Sequence, residues 1–406
     1  MRPRLLYLLL AASVPCLAQY GSARIFEELE KTTAELERVS GLAAQKKVRY
    51  EMIGRNQVGD FLRKRVKETI KPEQIRAEEI TLKKFGFVPK NFNLEKSTVD
   101  LLTEQAAAFY DYRKQRLFLL DGTSQQMLEM ALIHELAHAI ADQNFNLQKF
   151  IDDAGESDDS ALARLSVMEG QATWLTAEVM AQRNGQSLAN NRALFEQMSE
   201  ASTGGLSHYP VYQSVPLYLR ETLLFPYTKG MRFQQLVYEK LGKESFAELF
   251  KNPPTSTQQV LHPATYFDKV KPTSPELPEP QELKKKKFKT LAEGRVGEMD
   301  HAILLRQHVS REDAETIAPK WRGGKYKVWE KDKRTVLCYS VEWDSPETAR
   351  DYFKDYAKIM EGKWERMHVS SRTDTELKGN GDDGFFELRL TGAVVTSVEG
   401  MEAAQP

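Results

Sequence analysis

Residues 125–143 read QQMLEMALIHELAHAIADQ, and this stretch decides the fold. Met127, Leu128, Met130, Leu132, Ile133, Leu136 and Ile140 leave almost no polar side, so the pattern predicts a helix buried all round. Thr123 or Ser124 can cap its start, and Thr123 with Gln126 fits a capping box. Within it lies His134-Glu135-Leu136-Ala137-His138. Residues four apart share one helix face, so both imidazoles reach the same ion while Glu135 lies beside it. Two histidines and a glutamate buried there with no ligand would be costly. Imidazole nitrogen suits zinc, which in catalytic sites takes three protein ligands and keeps one position open. The ion lowers the pKa of its water, and a neighbouring carboxylate can take the proton. The spacing predicts a Zn2+ site with His134 and His138 as ligands and Glu135 as general base.

A third ligand has to come from elsewhere. Glu169, Glu156, the Asp152–Asp159 run, His208 and Glu178 are the candidates. Glu169 is preferred. It lies in LSVMEGQATW (165–174), inside a second apolar helix expected over about 161–181, where an unpaired carboxylate would be costly. Gly170 and Ala172 leave space there for the first helix. The acidic run is expected to be a solvated loop. A hydrolase also needs a donor for the developing oxyanion. His208, Tyr227 and His262 are available, and Tyr227 and His262 are the candidate catalytic residues. Core packing is the alternative for Tyr227, and capping for His262.

HELAH followed by a helix-borne Glu resembles the zincin metallopeptidases, and among them the gluzincins, whose third ligand is Glu. AAFYD (107–111) with RLFL (116–119) resembles the strand those enzymes place before the active helix, along whose edge extended substrate pairs. HELAHAIADQNF, VMEGQAT, LLFPYTKG and PPTSTQQVLHP are similar to a family of exported bacterial HExxH proteins. The resemblance covers about residues 100–270. It implies a zinc-peptidase fold, with His134, His138 and Glu169 as ligands and Glu135 as base. Where thermolysin-like members carry Asp four residues after the ligand Glu, this chain has Thr173. Asp142, one turn after His138, either orients a ligand imidazole or faces solvent near the helix end.

The 406 residues suffice for two to three domains. Residues 1–18 read as a secretory signal peptide: Arg2 and Arg4, an apolar run of 10 from Leu5 to Val14, then Cys16-Leu17-Ala18. Its removal leaves Cys338 alone, without an internal disulfide partner. No later segment has the length of a membrane helix, so the protein is expected to be secreted or periplasmic with no membrane span after cleavage.

The expected class is α+β. A mostly helical zincin-like catalytic domain with a small sheet spans 19–270, a Pro- and Lys-rich linker 271–289, and a small α+β domain 290–400. Two amphipathic helices are expected within 24–84, carrying Ile25, Leu29, Leu36 and Val39, then Phe61, Leu62 and Val66. Arg116–Leu120 is expected as an edge strand. Helices are expected near 215–224 and 230–240, and NPPTSTQQVLHP (252–263) as a rigid loop. The last domain shows strands at 326–330, 335–343 and 385–390 and a helix over 346–360 begun by Ser345. Trp321 and Trp343 are assigned to its core, and His301, His308 and His368 to ordinary surface or core positions.

Lys and Arg number 57 against 58 Asp and Glu, so no basic excess supports nucleic-acid binding. GxxxxGK[ST], GxSxG and a strand followed by GxGxxG are absent. The expected function is an exported zinc-dependent metallopeptidase acting on a peptide or protein substrate. The alternatives are a non-catalytic zinc-binding or partner-binding protein on the same fold, and a zinc hydrolase of a non-peptide amide.

Overall fold

A computed structural model describes residues 22–105, 108–155, 157–204 and 209–402, with side chains described except at 22–26, 55, 69, 105 and 201–204. Residues 1–18, expected to be a signal peptide, and Glu156 and His208 lie outside the described residues. In chain order the first half comprises α1 (Ser22–Ser40), β1 (Arg49–Ile53), α2 (Arg55–Thr69), α3 (Pro72–Phe85), α4 (Leu94–Gln105), β2 (Ala108–Asp111), β3 (Arg116–Leu120), α5 (Gln125–Phe145), α6 (Leu147–Asp152), α7 (Asp158–Arg183) and α8 (Arg192–Gly204). Then follow α9 (Pro210–Ser214), α10 (Leu217–Leu241), α11 (Ser245–Lys251), α12 (Thr257–Leu261), α13 (Pro263–Phe267) and α14 (Gln281–Lys285). The C-terminal part adds β4 (Lys289–Gly294), α15 (Glu298–His308), α16 (Arg311–Ile317), β5 (Trp321–Lys331), β6 (Arg334–Trp343), α17 (Pro346–Lys363), β7 (His368–Arg372), β8 (Glu376–Gly381), β9 (Gly384–Thr391) and β10 (Val394–Met401). The protein is α+β, mostly helical with a three-stranded sheet, then a seven-stranded antiparallel sheet with helices.

The small sheet has the order β1-β3-β2. Arg116–Leu120 is therefore its middle strand and not an edge, because β1 pairs with it in parallel from Arg49↔Arg116 to Ile53↔Leu120. RYEMI in β1 is largely exposed and shows no apolar alternation, so nothing local announces it. Alternation along β2 and β3 sorts side chains to two faces. Ala108, Leu117 and Leu119 join the core around α5. Phe109 and Phe118 face Phe61 of α2, with ring centroids 4.8 and 5.4 Å away.

α5 is buried nearly all round, as its composition requires. Its cap is Ser124, whose Oγ accepts from Met127 N at 3.3 Å, while Thr123 donates to Leu120 O instead. The two helices expected on either side of Pro226 form one, α10. Proline removes one N–H from the ladder, but Leu219, Leu223, Phe225, Met231 and Phe233 are all buried, and this packing holds the helix continuous.

The seven strands run in the order β4-β5-β6-β10-β9-β8-β7. Trp321, Trp343, Tyr339, Tyr352, Tyr356 and Phe386 fill the core on this sheet, and the unpaired Cys338 is buried in it. Ser345 caps α17 by accepting from Thr348 N. The 271–289 stretch touches the sheet at Thr273 and Leu283: Thr273 N donates to Arg322 O at 2.8 Å, and Leu283 packs with Trp329, Val336 and Cys338.

One apolar cluster runs from α2 and α10 into the large sheet. Phe85, fully buried at the end of α3, meets Tyr326 and Tyr339 edge-on, with centroids 5.5 Å away in both cases. Gly86 ends α3 in the left-handed region (φ 84°), and a Cβ there would lie 2.6 Å from Lys363 Cβ. Lys363 Nζ donates to Lys84 O at 2.9 Å and pairs with Glu399 at 2.5 Å, with both charged side chains buried. Among the described residues no helix is long and apolar enough to cross a membrane.

Candidate metal centre

α5 and α7 cross so that one ligand-type atom from each of His134, His138 and Glu169 converges. His134 Nε2 lies 3.1 Å from Glu169 Oε2, His138 Nε2 3.3 Å from the same oxygen, and the two Nε2 atoms 3.1 Å apart. Zinc bonds of about 2.0–2.1 Å in a tetrahedron require donors about 3.3 Å apart, so the residues present fit such an ion. The Glu169 side chain is 4% exposed, His138 8% and His134 13%. His134 is thus the most open of the three.

Burial alone would raise the Glu169 carboxyl, but the His138 and His134 rings outweigh it and hold it at about 2. Burial opposes the charge on His138, yet Glu169, Glu135 and Asp142 raise it to about 9. For His134 burial prevails over Glu169 and lowers the pKa. The group already stabilises positive charge against a carboxylate, and an ion entering it displaces protons from these donors.

Glu135 points beside the three ligand atoms and is 2% exposed. Its Oε2 accepts from Tyr110 N at 2.7 Å, and its Oε1 is buried without a partner. Burial, reinforced by the charge of Glu169, raises it to about 8. Tyr110 is held in turn by its hydroxyl, which donates to Asp142 Oδ2 at 2.9 Å. Asp142 Oδ1 accepts from Leu147 N at 2.9 Å. Asp142 is therefore neither solvent-facing nor bonded to an imidazole; it ties the end of α5 to β2. Strand alternation puts Tyr110 on the α5 face, but no sequence signal marks it as the residue that anchors Glu135.

Tyr227 comes to the site. Its ring stacks on His134 with centroids 5.9 Å apart and planes 24° off parallel. Its hydroxyl is buried without a well-formed hydrogen bond, and burial with the charges of Glu169 and Glu135 holds its pKa well above the ordinary value. Thr173, one turn beyond Glu169, also buries an unpartnered hydroxyl. His262 is not brought in: its Nε2 lies 2.7 Å from Glu298 Oε1 on α15. Glu178 accepts from Leu188 N and Ser187 Oγ at the far end of α7.

The acidic run is only partly a solvated loop. Asp158 and Asp159 open α7, and Asp159 is 2% exposed because its Oδ1 accepts from Thr257 N and Oγ1, at 3.0 and 2.5 Å. Its burial comes from α12, which no local pattern in the run reveals.

Residues 286–406 are similar to a family described as a domain of unknown function (DUF8575). No curated protein and no solved structure matches the chain. The His134, His138 and Glu169 group that could hold a metal ion lies outside the matched residues, on α5 and α7.

Proposed function

We propose that this protein is an exported zinc metallopeptidase that cleaves peptide bonds in a peptide or protein substrate. The observation carrying this reading is the convergence of His134, His138 and Glu169 donor atoms at 3.1–3.3 Å, with an unpartnered Glu135 oxygen beside them. In it, His134, His138 and Glu169 hold the ion. Bound zinc supplies Lewis acidity, which polarises a carbonyl and makes a water more acidic.

The chain's own groups supply the rest. Tyr110 N fixes one oxygen of Glu135, so the other takes a proton from the attacking water and delivers it to the leaving amine. Tyr227, whose buried hydroxyl lies near Glu169 without a well-formed hydrogen bond, donates to the carbonyl oxygen as charge develops there. The more open edge at His134 is where substrate enters. Export rests on residues 1–18.

The test is zinc content and peptide hydrolysis by the purified protein and its Glu169→Ala and Glu135→Gln variants. One zinc per chain, lost in Glu169→Ala, with hydrolysis lost in Glu135→Gln although zinc remains, is the expected result. Zinc without hydrolysis of any peptide in a broad library would turn the reading to a non-catalytic zinc protein. A chain that takes up no zinc on reconstitution would end both.

A further inference from the structure

Glu169 sits in the middle of α7, and packing of α5 against α7 sets the distance between the two helices. Packing alone fixes the position of α7 along its own axis less firmly, because neighbouring ridges and grooves repeat every turn. The close approach of Gly170 to Gly230 of α10 supplies part of that restraint in mid-helix, and the ends of the helix supply the rest. At the C-terminal end Arg183 pairs with Glu28, Glu35 and Glu129, on α1 and α5.

The N-terminal end is held by the short helix α12 and the C-terminal domain. Asp159 accepts two hydrogen bonds from Thr257. It also occupies the space beside Gly297, where a Cβ would lie 2.0 Å from Asp159 Oδ1. Asp158 Oδ2 accepts from Tyr326 OH of β5 at 3.2 Å. On α12, Gln258 Nε2 donates to Trp321 O at 2.6 Å. His262, just beyond, pairs with Glu298. The stretch NPPTSTQQVLHP, unused by the chemistry above, is thus the joint between the helix that carries Glu169 and the C-terminal domain.

We propose that this joint is a clamp: through Thr257 on Asp159, the C-terminal domain holds Glu169 in register with His134 and His138. Thr257 is a positioning residue acting through Asp159, which lies ten residues before Glu169, about 15 Å along α7. The role of the C-terminal domain is then to complete the metal centre from a distance. This inference rests on the metal reading above.

Zinc affinity of the full chain, measured by competition with a chromophoric chelator, tests it together with the visible absorption of the Co2+-loaded protein. Thr257→Val removes the hydroxyl that donates to Asp159 and accepts from Met299 N of α15, and keeps the shape, while Thr257→Ser restores both bonds. Thr257→Val is expected to weaken zinc binding about tenfold and change the Co2+ spectrum, with Thr257→Ser matching wild type. Tyr326→Phe, which removes only the bond to Asp158, gives a smaller shift in the same direction and serves if Thr257→Val fails to fold. Wild-type affinity and an unaltered Co2+ spectrum in folded Thr257→Val, or in Tyr326→Phe if that variant is the one used, would overturn the clamp and leave the metal site standing. A wild-type chain that binds neither ion would overturn the metal reading and the clamp with it.

Discussion

Gly170 and Gly230 meet backbone to backbone: a Cβ on Gly170 would stand 2.2 Å from the Gly230 carbonyl carbon, and one on Gly230 2.3 Å from Ser166 O. Glu169 adjoins the first glycine, and Tyr227 lies nearly one turn before the second. The crossing of α7 and α10 brings the tyrosine against His134, and only glycine allows this approach. Gly170→Ala should therefore destabilise the fold by about 3 kcal/mol despite the better helix propensity of alanine, since overpacking outweighs that gain. Urea unfolding measures it. A variant as stable as wild type would mean that the helices have room to part.

Tyr227→Phe retains the ring that stacks on His134 and removes the hydroxyl. Zinc content and KM should stay near wild type while kcat falls about 100-fold or more, the size expected for one lost oxyanion donor. Steady-state kinetics on a cleaved peptide decides it, and an unchanged kcat would return Tyr227 to a packing role.

His301 is fully buried, with Nδ1 donating to Gly297 O at 2.6 Å and Nε2 accepting from Tyr339 OH at 2.5 Å. Burial, only partly opposed by the Gly297 carbonyl, lowers its pKa from 6.5 to about 4. The unfolded chain therefore takes up a proton before the folded one does. This histidine's contribution is complete above pH 6.5 and is lost as pH falls towards 4, a loss of roughly 3 kcal/mol. Denaturant titrations from pH 7 to 4 should show this slope, and His301→Gln should flatten it. Equal slopes in both proteins would count against a neutral buried imidazole.

The buried Lys363–Glu399 pair predicts a different asymmetry. Glu399 also accepts from Tyr356 OH at 2.8 Å and Ser397 Oγ at 2.9 Å. Lys363→Met strands the carboxylate and should cost about 3–5 kcal/mol. Adding Glu399→Gln should recover part of that, because the charge is gone while an amide oxygen still accepts. The double variant's stability relative to the single one is the readout, and no recovery would contradict a cost due to stranded charge.

Helices whose own residues are apolar at regular spacing are legible in the amino-acid order. α1, α5, α7 and α17 stand where their patterns put them, and His134, Glu135, His138 and Glu169 stand out because ionisable groups in apolar helices need a partner. β1 is not legible, because an exposed strand carries no apolar signal and its parallel partner lies 67 residues away. Nor is the single helix α10, because burial on α7 overrides the local cost of Pro226. His262 reads as a donor at a rigid loop, and only the approach of α15 shows that its partner is Glu298.

The sequence by itself determined the two buried helices, the four ionisable residues His134, Glu135, His138 and Glu169 that they bury, and the α+β class, since each follows from residue patterns within single elements. Tertiary structure decided which oxygen of Glu135 is held, that Tyr227 faces His134, and that the C-terminal domain reaches the start of α7. Those relationships join residues from 25 to about 170 positions apart. Only the closure of the chain on a shared core sets their distances, because no local propensity acts across such separations.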